Sequence, residues 1–168
     1  MKKRRLPGKL VRREDFTGRI VASRIGNRPP IRKRLDEALV WASKSGRTTV
    51  LPRLLRAGAR MDADPYRGTP LIWAAVCNRM ETAAWLIDHG ASINLKATFG
   101  GLTHGQGITA LHMAAQSGHL AMVKMLIERG ADPAIRDDLH NGDAEGAANF
   151  FGQIAVRDYL RSVSLKKK

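Results

Sequence analysis

Apolar and polar positions alternate along this chain in blocks that predict pairs of short helices. Residues 108–130 read ITALHMAAQSGHLAMVKMLIERG. In the second half of this stretch, Val123 and Leu126 place apolar groups at helical spacing on one wide face. In the first half, the pair Ala114 and Ala115 predicts a helix that is thin enough for close stacking. The stretch therefore predicts a thin inner helix and an amphipathic outer helix, joined by the polar segment QSGH.

The same pattern occurs in three further copies. Residues 68–90 read GTPLIWAAVCNRMETAAWLIDHG and match the stretch above position by position, beginning with Thr69 and Thr109. An upstream copy covers residues 39–59, and a more divergent copy covers residues 146–160. Self-similarity at about 33 residues is typical of a stacked helical solenoid, in which each unit buries its apolar face only against its neighbours.

Residues at the ends of these segments predict where the helices begin and end. Thr69 supplies an N-cap oxygen, and Pro70 follows at the first helical position, where its missing N–H costs nothing. Gly58, Gly90 and Gly130 follow the outer helices, where a left-handed residue lets the last carbonyl groups find partners. The repeats contain no persuasive strand pattern, so the predicted fold class is all-α.

The third unit carries Thr, Leu, His, Ala, Gly and Asp residues at the spacing of a known repeat. They are Thr109, Leu111, His112, Ala114, Ala115, Gly118, His119, Gly130, Ala131 and Asp132. The chain resembles an ankyrin-repeat protein over about residues 33–161. This resemblance implies a solenoid of helix-turn-helix units with β-turn fingers. The divergent fourth unit is similar to the closing repeat of many bacterial ankyrin proteins.

The predicted organisation has three parts. A basic N-terminal arm, expected to be partly disordered, covers residues 1–30, the ankyrin-repeat domain covers residues 31–165, and a basic tail covers residues 166–168. The boundaries of the four predicted units are about 33–64, 65–97, 105–137 and 138–161.

The formal net charge of +14 lies at the two ends of the chain. Residues 1–34 contain 13 Lys and Arg against Glu14 and Asp15, residues 166–168 are all lysine, and residues 35–165 are neutral. In one interpretation the ends neutralise phosphates of nucleic acid or an anionic membrane surface. In the other they are solvated ends that keep the protein soluble. The residues of the arm predicted to bind anions are Lys2, Lys3, Arg4, Arg5, Arg12 and Arg13.

No arrangement of residues in the sequence predicts catalysis, a metal site or a cofactor site. His112 occupies a family position for which the resemblance implies a structural hydrogen bond at the β-turn. The single cysteine, Cys77, has no histidine in register, and GLTHGQG lacks the Lys-Ser/Thr pair of a phosphate loop. Asp137 and Asp138 are expected to be solvated. We therefore expect no enzyme, and the remaining alternative is a small enzyme with a site in the loop around GLTHGQG.

Composition favours a cytoplasmic location. One cysteine cannot form an internal disulfide, and no apolar run is long enough for a membrane span or for the apolar region of a signal peptide. A length of 168 residues fits one domain with its own core, and we expect a monomer.

Three tryptophans occupy positions that recur between units. Trp41 and Trp73 are equivalent to Met113, and Trp85 is equivalent to Met125. The resemblance implies that these side chains pack in the core.

The resemblance also implies where a partner would bind. Ankyrin-repeat proteins hold protein partners with the tips of their fingers and with the inner-helix residues that follow the Ala-Ala pair. The finger between units two and three is about seven residues longer than the repeat requires, and long loops on a rigid scaffold often carry contacts. For Phe150 and Phe151, capping of the last unit is an open alternative. The predicted contact residues are Lys44, Ser45, Tyr66, Val76, Phe99, Leu102, His104, Gln106, Ile108, Gln116, Ser117, Phe150 and Phe151.

The predicted function is non-enzymatic binding of another protein through the concave face of the solenoid and the long finger. The alternative is a nucleic-acid or ribonucleoprotein-associated factor whose basic ends supply the affinity. Neither function requires a cofactor.

Overall fold

Helices provide the regular structure of this protein. A computed structural model of the chain describes residues 31–65, 67–99 and 106–166. Within these ranges it contains no β-strand, which agrees with the predicted all-α class. The helices are α1 (Ile31–Ser45), a 3-10 helix (Thr48–Val50), α2 (Leu51–Arg56), α3 (Pro70–Val76), α4 (Met80–Asp88), α5 (Ala110–Gln116), α6 (Leu120–Glu128), α7 (Ala144–Phe150) and α8 (Ile154–Lys166).

Some of the predicted binding residues lie outside the described ranges. This applies to the whole basic arm over residues 1–30, and to Lys167 and Lys168 of the basic tail. It also applies to three predicted contact residues, Tyr66, Leu102 and His104.

The helices form two layers, as expected for a stack of helix-turn-helix units. In the inner layer α1 packs on α3, α3 packs on α5 and α5 packs on α7. In the outer layer α2, α4, α6 and α8 each pack against the inner helix of the same unit. This order confirms the predicted solenoid and brings equivalent residues of successive units next to one another.

Equivalent leucines of the outer helices fill the core between the layers. Leu86 of α4, Leu126 of α6 and Leu160 of α8 are all 0% exposed. On the inner side Ala74 and Ala114 are also fully buried, and their small side chains let the inner helices approach closely. Burial of one leucine side chain contributes about 1.5–3 kcal/mol, and much of that burial comes from neighbouring units.

Side-chain caps fix the start of the inner helices. The Thr69 hydroxyl accepts a hydrogen bond from the backbone N–H of Ile72 at 3.3 Å, with Pro70 in the first turn. The fourth unit lacks the Thr-Pro-Leu sequence, but the Asp143 carboxylate accepts a hydrogen bond from the backbone N–H of Gly146 at 2.8 Å. The divergent unit therefore begins α7 with an equivalent cap.

The turn between α3 and α4 uses an asparagine where the third unit has glycine. Asn78 has a φ of 52° and Gly118 has a φ of 73°, both in the left-handed region. Asparagine reaches this region at lower cost than most residues with a side chain, so the turn keeps its shape.

Candidate protein-binding surface

The residues at the carboxyl ends of the inner helices line up along the stack. Val76, Gln116 and Phe150 are the last residues of α3, α5 and α7, and Lys44 has the equivalent place in α1. Because the inner helices pack in the order α1, α3, α5 and α7, these positions form one continuous surface. We name it the inner-helix surface, and its members are Lys44, Ser45, Val76, Gln116, Ser117, Phe150 and Phe151.

Exposure of apolar groups on this surface is greatest in the fourth unit. Val76 and Gln116 are half-buried, whereas Phe150 is 83% exposed and Phe151 is 48% exposed. The two phenyl rings contact each other edge to face, with centroids 5.1 Å apart. Both rings are therefore accessible to another molecule on this surface.

At the other end of the surface, Lys44 lies over the rings of two units. Its Nζ is 5.2 Å from the ring centroid of Trp41 and 4.2 Å from that of Trp73. Trp73 also packs on Phe99, with ring centroids 4.8 Å apart. A cation–π contact contributes about 0.5–1 kcal/mol at an exposed site and more where water is excluded, so the two indoles hold the ammonium group in place. We name these four residues the Lys44 cluster.

Trp41 and Trp73 are half-buried and do not belong to the hydrophobic core cluster, which corrects the prediction that they pack in the core. Met113, the equivalent of Trp41 and Trp73, is 4% exposed, whereas both indoles are partly exposed. An indole is larger than a methionine side chain, so part of the ring extends beyond the inner layer. Trp85 is also half-buried, but it packs against the core, as predicted. Its ring stacks on His89 with centroids 3.8 Å apart.

The indole N–H of Trp73 is buried and has no hydrogen-bond partner in the described part of the chain. Gly68 lies beside it with a φ of 139°, and a Cβ on that glycine would be 2.8 Å from Nε1. A buried donor without an acceptor costs about 1–3 kcal/mol. Among the described residues, the Lys44 cluster therefore contains a buried donor without an acceptor.

The long finger between units two and three is closed at its base by backbone hydrogen bonds. Ala97 and Ile108 form an antiparallel bridge with N···O distances of 2.9 and 3.0 Å. Ile108 is 6% exposed because the bridge places its side chain in the core. The prediction that Ile108 belongs to the exposed contact surface is therefore wrong.

Two other predicted contact residues of the finger have structural partners. Phe99 is half-buried because its ring packs on Trp73, so it anchors the base of the finger. Gln106 is exposed, and its backbone carbonyl oxygen accepts a hydrogen bond from the backbone N–H of Asp138 at 2.8 Å. The Asp138 carboxylate accepts a further one from Lys96 Nζ at 2.6 Å, which ties the finger base to the next turn.

His112 joins α5 to the turn that precedes α7. The backbone N–H of Thr109 donates to its Nδ1 at 3.2 Å, and its Nε2 lies 3.2 Å from the carbonyl oxygen of Gly142. Because an amide N–H only donates and a carbonyl only accepts, the imidazole is neutral and carries its proton on Nε2. Burial lowers the pKa of His112. These contacts confirm the predicted structural role.

Asp137 organises the same turn and is not simply solvated, contrary to the prediction. Its carboxylate accepts hydrogen bonds from the backbone N–H groups of Leu139 at 2.9 Å, His140 at 2.6 Å and Gly142 at 2.9 Å. Partial burial raises the pKa of Asp137, but these donors outweigh that effect and the net pKa is lowered. The carboxylate thus holds the segment that presents Gly142 to His112.

We expect the protein to lose stability as the pH falls below about 6.5, the ordinary pKa of histidine. The lowered pKa of His112 in the folded state means that the unfolded chain takes up the proton first. The free energy of unfolding therefore decreases from about pH 6.5 down to the folded pKa. Urea unfolding at a series of pH values measures this loss. The His112→Gln variant should be less stable at neutral pH and should lose less of its free energy of unfolding on acidification. A variant with the same pH dependence as the wild type would contradict this role of His112.

The described ranges contain no candidate metal centre. No three His, Cys, Asp or Glu side chains within them lie close enough together to hold a metal ion. None of the helices described above is both long and apolar enough to cross a membrane.

Comparison with protein families agrees with this geometry. A model of three ankyrin repeats matches residues 20–97, and a model of the single ankyrin repeat matches residues 106–138. Together these matches cover more than half of the chain, and the chain belongs to the ankyrin-repeat family. Ankyrin repeats form protein–protein interaction modules that are generally non-enzymatic. Residues 98–105 lie between the two matches, which is where the long finger was predicted.

Curated relatives share the repeats and are much longer proteins. The chain is 31% identical over 105 residues to the ankyrin repeat and KH domain-containing protein mask-1 of Caenorhabditis elegans, covering 62% of this chain and 4% of that protein. It is 38% identical over 95 residues to human ankyrin repeat and SOCS box protein 3, covering 55% and 17%. It is 42% identical over 100 residues to mouse palmitoyltransferase ZDHHC13, covering 59% and 15%. The matched stretch is less than a fifth of each relative.

Proposed function

We propose that the chain binds a partner protein through the inner-helix surface, on the predicted concave face, with the long finger as a second contact. The observation that carries the proposal is the exposure of Phe150 and Phe151, at 83% and 48%, on the face that the inner helices share. Aromatic side chains provide much of the binding energy at protein interfaces. An exposed pair on a rigid helix end is therefore a strong anchor for a partner.

The finger adjoins the same surface. Phe99 at its base packs on Trp73, and Trp73 contacts Lys44. Phe99 therefore joins the described base of the finger to the Lys44 end of the surface. Because the base is fixed by the Ala97 to Ile108 bridge, the loop is attached to a rigid support, as loops that carry recognition commonly are.

Neutralising the basic arm separates this proposal from the nucleic-acid alternative. We expect the full chain with Lys2, Lys3, Arg4, Arg5, Arg12 and Arg13 replaced by glutamine to retain its partner protein, because the neutral repeats supply the contacts. Binding to a single-stranded RNA oligonucleotide should weaken at the same time, and its salt dependence should become shallower. The measurement is affinity capture from a lysate of cells that express the protein, at low and high salt, beside RNA binding by fluorescence polarisation. If the variant loses the captured partner protein as well as RNA binding, the arm provides the affinity and the inner-helix surface does not.

A further inference from the structure

The Lys44 ammonium is a positioned cation that no carboxylate of the described residues neutralises. Five ion pairs occur among those residues, and none includes Lys44 or Arg79. Lys44 is half-buried, so its charge is screened less by salt than that of a fully exposed lysine. Two indoles already restrict its position, so a ligand that binds it would lose little additional side-chain entropy.

Arg79 adds a second positive charge at the same place. Its Nε donates a hydrogen bond to the carbonyl oxygen of Lys44 at 3.0 Å, which brings the guanidinium group of unit two to the end of α1. The arginine is exposed, and its other N–H groups make no ion pair with a described carboxylate. Lys44 and Arg79 together form a positive end of the inner-helix surface, opposite its aromatic end.

We propose that this positive end binds acidic side chains of the partner, so that the partner segment carries Asp or Glu at one end and an apolar anchor at the other. This inference rests on the proposed function, because it assigns chemistry to the same surface. Carboxylates accept charge-assisted hydrogen bonds from ammonium and guanidinium groups, and these are stronger than neutral ones. The apolar anchor contacts Phe150 and Phe151, which are exposed at the other end.

The spacing between the two ends limits the partner segment. Packed helices lie about 8–10 Å apart, so the three steps from α1 to α7 span roughly 25–30 Å. An extended strand covers that distance in about eight residues. A helix requires about eighteen residues for the same span.

The geometry favours an acidic peptide over a nucleic acid at this place. Single-stranded nucleic acids bind by stacking bases on free aromatic faces as well as by their phosphates. The Trp73 ring is already in contact with both Lys44 and Phe99, at 4.2 and 4.8 Å from its centroid. The cluster therefore presents a cation for a carboxylate and leaves little of this ring for a base.

The test is selection from a displayed library of random peptides, with the full chain as bait. Lys44→Met removes the charge and keeps an unbranched apolar stem against the indoles, Lys44→Arg keeps a cation, and Lys124→Met removes an exposed lysine from outer helix α6. Every bait contains the basic arm, so the difference between Lys44→Met and Lys124→Met isolates the effect of Lys44. Circular dichroism melting of each variant checks that the fold is retained.

We expect peptides selected by the wild type, Lys44→Arg and Lys124→Met to be enriched in Asp and Glu, and this enrichment to be lost with Lys44→Met. Selected acidic peptides should bind Lys44→Met about tenfold more weakly, as loss of one charge-assisted contact implies. The inference is overturned if Lys44→Met selects peptides as enriched in Asp and Glu as those of the wild type. It is also overturned if the affinity for an RNA oligonucleotide falls as much with Lys44→Met as the affinity for the peptides does. If apolar peptides are selected through Phe150 without any acidic preference, the proposed function stands and the acidic partner is wrong.

Discussion

Replacing Leu126 with alanine is expected to lower the free energy of unfolding by about 2–5 kcal/mol. Leu126 is 0% exposed, and it lies in α6 at the place that Leu86 and Leu160 hold in the neighbouring outer helices. Truncation removes buried apolar surface and leaves a cavity that the short helices around it can only partly fill. Urea unfolding followed by circular dichroism measures the change.

Lys124→Ala is the matched control for this substitution. Lys124 lies two positions earlier in α6 and is exposed. Its ammonium group makes a cation–π contact with Tyr159, with Nζ 5.6 Å from the ring centroid. A contact of that kind at an exposed site contributes about 0.5–1 kcal/mol, and the lower value applies here because 5.6 Å is close to the distance limit of about 6 Å. Its removal should therefore cost about 0.5 kcal/mol or less. Equal losses from the two variants would mean that the assigned face of α6 is wrong.

The fold could be predicted because the same pattern occurs in four copies, so that equivalent positions can be compared with one another. Thr69 and Pro70 indicated a helix start in sequence, and the hydroxyl of Thr69 caps α3 in the structure. Gly90 was expected to end an outer helix in the left-handed region, and its φ is 94°. His112 was assigned to a turn contact, and its two ring nitrogens make that contact. Each of these features depends on a few neighbouring residues, which is why sequence is sufficient for them.

The finger base could not be predicted from the sequence, because its contacts join residues that are distant in the chain. Phe99 was assigned to a free loop, but its ring packs on Trp73 of the preceding inner helix. Ile108 was assigned to the surface, but the bridge to Ala97 places it in the core. Removing residues 98–104 would therefore also remove the packing on Trp73. The finger is joined to the core at its base and is not a simple insertion.

The Lys44 cluster has no sequence signal for a related reason. Trp41 and Trp73 belong to different units, and only the packing of α1 on α3 brings both within reach of one ammonium group. The repeat alignment placed both indoles in the core because the equivalent Met113 is buried. Side-chain size decided the outcome, since an indole extends farther from the same backbone position than a methionine does.

Replacing both Phe150 and Phe151 with serine is expected to weaken partner binding by at least about tenfold, or roughly 1.4 kcal/mol. The rings are 83% and 48% exposed, so their removal takes away contact area without opening a cavity in the core. Phenylalanine and serine have similar helix propensities, so the free energy of unfolding should change by about 0.5 kcal/mol or less. Calorimetric titration with the captured partner and urea unfolding of the same variant measure the two quantities.

The control for that result is Leu165→Ser, which removes another exposed apolar side chain from the end of α8. Leu165 is 68% exposed and lies outside the inner-helix surface, so its loss should leave partner affinity within about twofold of the wild type. A general effect of apolar exposure would weaken binding equally in both variants, whereas a contact at the inner-helix surface weakens it only in the phenylalanine variant. If the phenylalanine variant binds as tightly as Leu165→Ser, the aromatic pair is not a contact. If it unfolds, the two rings stabilise the last unit despite their exposure, and the capping role becomes the better explanation.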